Sequence, residues 1–135
     1  MPRFAVILPA AGASSRFRDP HYKKPFAPLA GRAVWLHSLH RFTQRDDVKQ
    51  LIVAIAPDDR EEFLRRFGAD IALLGVEVVD GGRERVDTVS NALTRVREEI
   101  DFVCIHDAAR PCISDLWIDA VFQKAVETGA AILAI

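Results

Sequence analysis

The sequence holds 135 residues, 50% of them hydrophobic, with 18 Lys and Arg against 19 Asp and Glu. Those totals fit one soluble globular domain with a single core and argue against a broadly basic nucleic-acid surface. No apolar run reaches the length of a membrane span, and no basic-then-apolar leader precedes the first strand.

Phe4 to Leu8 is short, continuous and rich in branched residues, the pattern of a buried strand, and Pro9 is expected to end it. A loop of small residues follows: Ala10, Ala11, Gly12, Ala13, Ser14 and Ser15. Small side chains let a ligand approach the backbone, whose exposed N–H groups bind anions. Arg16 adds a fixed positive fork and Lys24 a mobile point charge, a pair suited to phosphate oxygens. The loop has neither Walker A nor dinucleotide-fold spacing, and taken alone it also fits a tight turn. Ala27 to Gly31 is another turn. From Ala33 to Phe42 the apolar residues Val34, Trp35, Leu39 and Phe42 recur at helical spacing. His37 and His40 share that helix, as a conceivable metal pair or as packing and surface residues.

Leu51 to Ala56 reads as a second strand, with Asp58 as N-cap of a helix that buries Phe63, Leu64 and Phe67 and stops at Gly68. The charges Arg60, Glu61, Glu62, Arg65 and Arg66 form its solvated face. Val76 to Val79 is a third strand, running into Asp80-Gly81-Gly82-Arg83-Glu84-Arg85. The next helix is expected to turn Val86, Val89, Leu93 and Val96 inward, leaving Asp87, Thr88 and Asn91 to point elsewhere. Phe102 to Ile105 is a fourth strand and delivers His106-Asp107-Ala108-Ala109-Arg110-Pro111. Asp115 caps a helix with Leu116, Ala120, Val121 and Ala125 inward, Gly129 ends it, and Ala130 to Ile135 begins a fifth strand. Cys104 and Cys112 are too few and too irregular for a disulfide framework or a zinc site, so the expectation is a cytoplasmic protein with a buried, reduced Cys104.

This alternation predicts an α/β fold with a mostly parallel sheet and helices on both faces. Ligands of such sheets sit at the carboxyl ends of the strands, where all three unusual loops fall. Asp107 at that rim is suited to holding Mg²⁺ beside bound phosphates, or to a helix cap or an ion pair with Arg110. Arg110 can grip a phosphorylated second substrate. Gly81 and Gly82 would let a flat base lie against the backbone and be read by main-chain groups, with Thr88 adding a hydroxyl. Arg83 and Arg85 fit ligand binding and a structural role equally well.

Together Pro9-Ala10-Ala11-Gly12…Arg16, Lys24-Pro25-Phe26, Gly31, His37-Ser38-Leu39, Asp80-Gly81-Gly82…Arg85…Thr88-Val89 and His106-Asp107-Ala108-Ala109-Arg110-Pro111 resemble the 2-C-methyl-D-erythritol 4-phosphate cytidylyltransferases. The resemblance runs from Phe4 to Ile135. It implies a Rossmann-like nucleotidyltransferase fold, and a reaction in which CMP passes from CTP to a polyol phosphate in non-mevalonate isoprenoid synthesis. By that resemblance Ala10 to Ser15 wrap the CTP phosphates, and Arg16 and Lys24 are catalytic. Gly81, Gly82, the backbone of Arg83, and Thr88 surround cytosine and ribose. Asp107 and Ala108 complete the nucleotide site, with Asp107 also binding Mg²⁺ and both substrates and Arg110 approaching the acceptor.

The chain departs from the family pattern at Ser14, usually a second glycine, and at Arg83, commonly acidic or small. Lys23 is a rival for the role of Lys24. The family's chains continue past Ile135, so residues 1–135 are expected to be a nucleotidyltransferase domain cut short at its C-terminal end. The full-length parent is expected to be a homodimer, with no nucleic-acid or membrane partner. The alternatives are a pentitol-phosphate or sugar-phosphate nucleotidyltransferase, or a catalytically silent nucleotide-binding domain.

Overall fold

A computed structural model of the chain describes residues 1–11, 26, 28–108 and 113–131. Four strands form one parallel sheet: β1 (Phe4–Ala10), β4 (Val48–Ile55), β5 (Val76–Asp80) and β6 (Phe102–Ile105), in the order β5-β4-β1-β6. A two-residue antiparallel ribbon, β2 (Pro28–Leu29) with β3 (Arg32–Ala33), stands where only a turn was expected. Four helices complete the described chain: α1 (Val34–Thr43), α2 (Arg60–Leu74), α3 (Arg85–Leu93) and α4 (Asp115–Thr128).

Every residue of β1 is buried, because the strand lies between β4 and β6 and is covered on both faces. Phe4, Val6, Leu8 and Ala10 join Trp35, Leu39, Phe42, Phe63, Phe67, Ile118 and Phe122 in the larger core, so α1, α2 and α4 share one face. On the other face Ile7, Ile52, Ala54 and Val79 pack with Ala92 of α3. The expected parallel sheet with helices on both faces is the observed one.

Pro9 does not end β1, which runs on to Ala10 with Pro9 paired to Ala54. The Ile7 carbonyl accepts from the His106 N–H at 2.9 Å, and Ile7 is the last β1 residue paired with β6. Two residues on, Pro9 faces the same edge after β6 has ended, so its missing N–H removes no ladder bond.

Several helix expectations are corrected. Asp58 is not an N-cap: Pro57–Asp59 already forms a 3₁₀ turn, and Asp59 occupies the cap position of α2. Gly68 does not stop α2, whose inward stripe continues through Phe63, Phe67, Ile71 and Leu74 to Gly75, left-handed at φ 69°. Leu64 lies off that stripe and is exposed. Arg60 stays at the surface, where it bonds Asp80 at 3.0 Å.

In α3 the residues facing inward are Thr88 and Ala92, while Val86 is 72% exposed and Leu93 is also outside. Small residues at this spacing let the helix settle close to the sheet. Ser114, not Asp115, caps α4, accepting from the Trp117 N–H at 3.2 Å. Leu116 and Ala120 face solvent while Ile118 and Phe122 are buried, because Phe122 stacks on Phe4 with ring centroids 3.8 Å apart and so sets the rotation of the helix. Gly129 ends α4 as expected. Ala130 and Ala131 are irregular, and the remainder of the expected fifth strand lies outside the described residues.

Candidate functional site

Because the sheet is parallel, the loops after β1, β5 and β6 leave from one edge. β4 separates β5 from β1 in the sheet, yet the loop after β5 crosses the end of β4. The Gly81 N–H donates to the Ile55 carbonyl at 2.8 Å. That crossing brings Gly81 against Ala11: a Cβ on Gly81 would stand 2.1 Å from the Ala11 Cβ. A Cβ on Gly82 would stand 2.3 Å from the Asp87 Cβ in the first turn of α3. Both glycines are therefore required by packing within the chain, whatever lies above them.

Thr88 holds this loop from beneath. It is 3% exposed, and its Oγ1 accepts from the Gly82 N–H at 3.0 Å and lies 3.2 Å from the Glu84 carbonyl, to which it can donate. The N–H groups of Gly81 and Gly82 are thus both used internally. Asp87 Oδ2 accepts from the Glu84 N–H at 3.1 Å, so the start of α3 braces the loop a second time. Asp80 is fixed by its carboxylate to Arg60 and by its carbonyl, which accepts from Asn91 Nδ2 at 3.3 Å. Arg83 and Arg85 are exposed.

Ala10 and Ala11 are buried at the end of β1, with the small-residue loop beginning directly beyond them. Gly12, Ala13, Ser14, Ser15, Arg16, Lys23 and Lys24 lie outside the described residues, as do Arg110 and Cys112. On the other side of β1, Asp107 follows β6 by two residues and is half-buried. Ala108 is fully buried, and its carbonyl accepts from the Ser38 hydroxyl at 2.8 Å.

Ser38 is the residue that spacing did not single out for a role. Its signal was a polar side chain within the apolar stripe Trp35, Leu36, Leu39 and Phe42. Cys104, expected to be buried, is a half-buried free thiol within β6, an outer strand of the described sheet, paired in register with Val6. Burial pushes its pKa up to about 11, against a smaller opposing pull from Arg45, so it is no nucleophile at neutral pH. His37 is half-buried and His40 exposed. Among the described residues, no group of three or more His, Cys, Asp or Glu side chains is placed to hold a metal ion by itself, and no helix is long and apolar enough to cross a membrane.

A family model described as IspD: 2-C-methyl-D-erythritol 4-phosphate cytidylyltransferase matches residues 4–135. The enzyme of that name from Rhodopirellula baltica is 38% identical over 141 residues, covering 96% of this chain and 58% of its own. That from Endomicrobium trichonymphae is 39% identical over 128 residues, covering 95% of this chain and 56% of its own. The crystal structure of the Francisella tularensis 2-C-methyl-D-erythritol 4-phosphate cytidylyltransferase superposes with a TM-score of 0.66 at 25% identity, over 93% of this chain and 53% of that one. The chain thus spans little more than half the length of these relatives. Its parallel sheet is the Rossmann-like one of this group. By sequence and by fold, the chain belongs to the IspD family of 2-C-methyl-D-erythritol 4-phosphate cytidylyltransferases.

Proposed function

We propose that the protein transfers CMP from CTP to 2-C-methyl-D-erythritol 4-phosphate and releases pyrophosphate, a step in non-mevalonate isoprenoid precursor synthesis. Residues 1–135 supply the nucleotidyltransferase domain. The observation that carries this reading is the contact of Gly81 with Ala11, which unites a small-residue loop and a glycine loop on one rim in a chain of this family.

In this reading Ala10 to Ser15 cradle the CTP phosphates through the backbone, since Ala10 and Ala11 already bury their methyl groups. The carbonyls of Gly81 and Gly82 and the backbone of Arg83 face the cytosine and ribose, while Thr88 keeps that loop in shape. Arg16 and Lys24 neutralise charge as the acceptor's phosphate oxygen attacks the α-phosphorus in line. The new P–O bond forms as the bond to the β-phosphate breaks, and pyrophosphate leaves with the electron pair. A phosphate dianion needs no general base, so catalysis is positioning and charge neutralisation. Arg110 grips the acceptor, and Asp107 with Ala108 closes the far side.

The residues fit a divalent cation of the hard type. Asp107 offers a single carboxylate from a turn held at Ala108, and Mg²⁺ held there would take its other oxygen ligands from phosphate and water. Bound there, Mg²⁺ would offset charge on the triphosphate and the departing pyrophosphate. A cytoplasmic homodimer is the assembly that the family resemblance implies.

Product analysis with CTP and each acceptor tests the reading. The expected product is the diphosphate in which a new phosphoanhydride bond joins CMP to methylerythritol phosphate, with equimolar pyrophosphate. Consumption of ribitol phosphate alone would overturn the acceptor assignment. CTP binding by the full-length parent without turnover of any acceptor would favour a silent nucleotide-binding domain.

A further inference from the structure

Ser38 is fully buried on a helix face that is otherwise Trp35, Leu36, Leu39 and Phe42. A hydroxyl buried among apolar groups costs free energy unless it is hydrogen-bonded. Its Oγ lies 3.1 Å from the Val34 carbonyl of its own helix and 2.8 Å from the Ala108 carbonyl. A hydroxyl has one proton to give, and the shorter contact is the better bond. The Val34 carbonyl is within reach of any serine at this helical spacing, whereas the Ala108 contact joins residues 70 positions apart. Ala108 is itself fully buried, so solvent does not replace Ser38 there.

One turn along α1, the Phe42 ring lies 5.3 Å from the His106 imidazole. Helix α1 therefore holds both neighbours of Asp107: His106 by a ring contact and Ala108 by a hydrogen bond. It also reaches α4 through Arg41 to Asp115 at 3.2 Å, and Arg45, two residues past its end, bonds Asp119 at 2.7 Å. The segments before and after residues 109–112 are tied to the same helix.

We infer that Ser38 is a positioning residue for Asp107, its bond to the Ala108 carbonyl setting where that carboxylate stands on the rim. The inference rests on the proposed CTP site. Ser38 is too deeply buried to meet substrate, so its effect is transmitted through the turn.

The test is a double-mutant cycle read by calorimetric titration of the protein with CTP in Mg²⁺, using Ser38→Ala, Asp107→Asn and the pair. Asp107→Asn is expected to weaken binding about tenfold, and Ser38→Ala about threefold to tenfold. With Asn at position 107, Ser38→Ala is expected to cost almost nothing more, because what it aims is already gone. A Ser38→Ala cost that is equal in both backgrounds means a merely structural role and overturns the inference, as does no cost in either.

Wild-type binding that Asp107→Asn leaves untouched removes the role of Asp107, and the inference with it. Absence of binding by the folded full-length parent instead sinks the functional reading itself. Circular dichroism checks folding of each variant. Ser38→Cys, close in volume and a weaker donor, replaces the alanine variant in the cycle if that variant does not fold.

Discussion

Gly81 approaches Ala11 so closely that a Cβ on the glycine would stand 2.1 Å from the Ala11 Cβ. The two residues are 70 positions apart in sequence and directly follow strands, β1 and β5, that are not neighbours in the sheet. Their contact turns two separately folded loops into one surface. The Gly81→Ala variant must open this contact, because Ala11 is buried at the end of a rigid strand. A loss of about 1–3 kcal/mol is expected, read as a lower urea midpoint with an unchanged slope. CTP affinity should fall with it, since the loop beyond Ala11 is displaced. An unchanged midpoint would contradict the described contact.

The Thr88 hydroxyl completes the same loop by accepting the Gly82 N–H. Thr88→Val keeps the shape and leaves that donor without its partner, for a cost of about 1–3 kcal/mol, whereas Thr88→Ser should retain most of the stability. Hydrogen exchange at the Gly82 amide reads the effect directly. Faster exchange in the valine variant alone is the expected result, and equal exchange in both variants would mean that the bond holds nothing.

Burial raises the Cys104 pKa to about 11 from an ordinary value of 9.0. The folded thiol therefore keeps its proton in a range where the unfolded one loses it. Unfolded chains then bind fewer protons than folded ones, so stability falls as pH rises. This contribution is complete below about pH 9 and is lost progressively between about pH 9 and 11. In a Cys112→Ser background, aromatic disulfide reagents should label the native protein slowly at pH 8 and the denatured protein rapidly. Rapid native labelling would contradict the burial.

The strands were legible in the sequence because parallel strands are continuous apolar runs, and β6 was delimited residue for residue although it stands at the end of the strand order with Val103 and Ile105 exposed. Helix rotation was less legible. Spacing put Val86 and Leu93 inward, but the hydrogen bond that the Thr88 hydroxyl accepts from the Gly82 N–H, with small Ala92 on the sheet, decided otherwise. Gly68 read as a stop because a glycine's effect depends on its backbone angle, and the left-handed residue is Gly75. The rim was foreseen from strand direction alone. That the glycines face Ala11 and Asp87, and that Ser38 anchors Ala108, are contacts between distant residues that no local pattern encodes.

The central claim is that the loop after β1 begins a triphosphate site. Its most direct test is calorimetric titration of the protein with CTP and Mg²⁺ beside an Arg16→Ala, Lys24→Ala double variant. The account predicts binding that the variant weakens by about tenfold or more, as expected for two lost charge-assisted phosphate contacts. Equal affinity in the two folded proteins would contradict it.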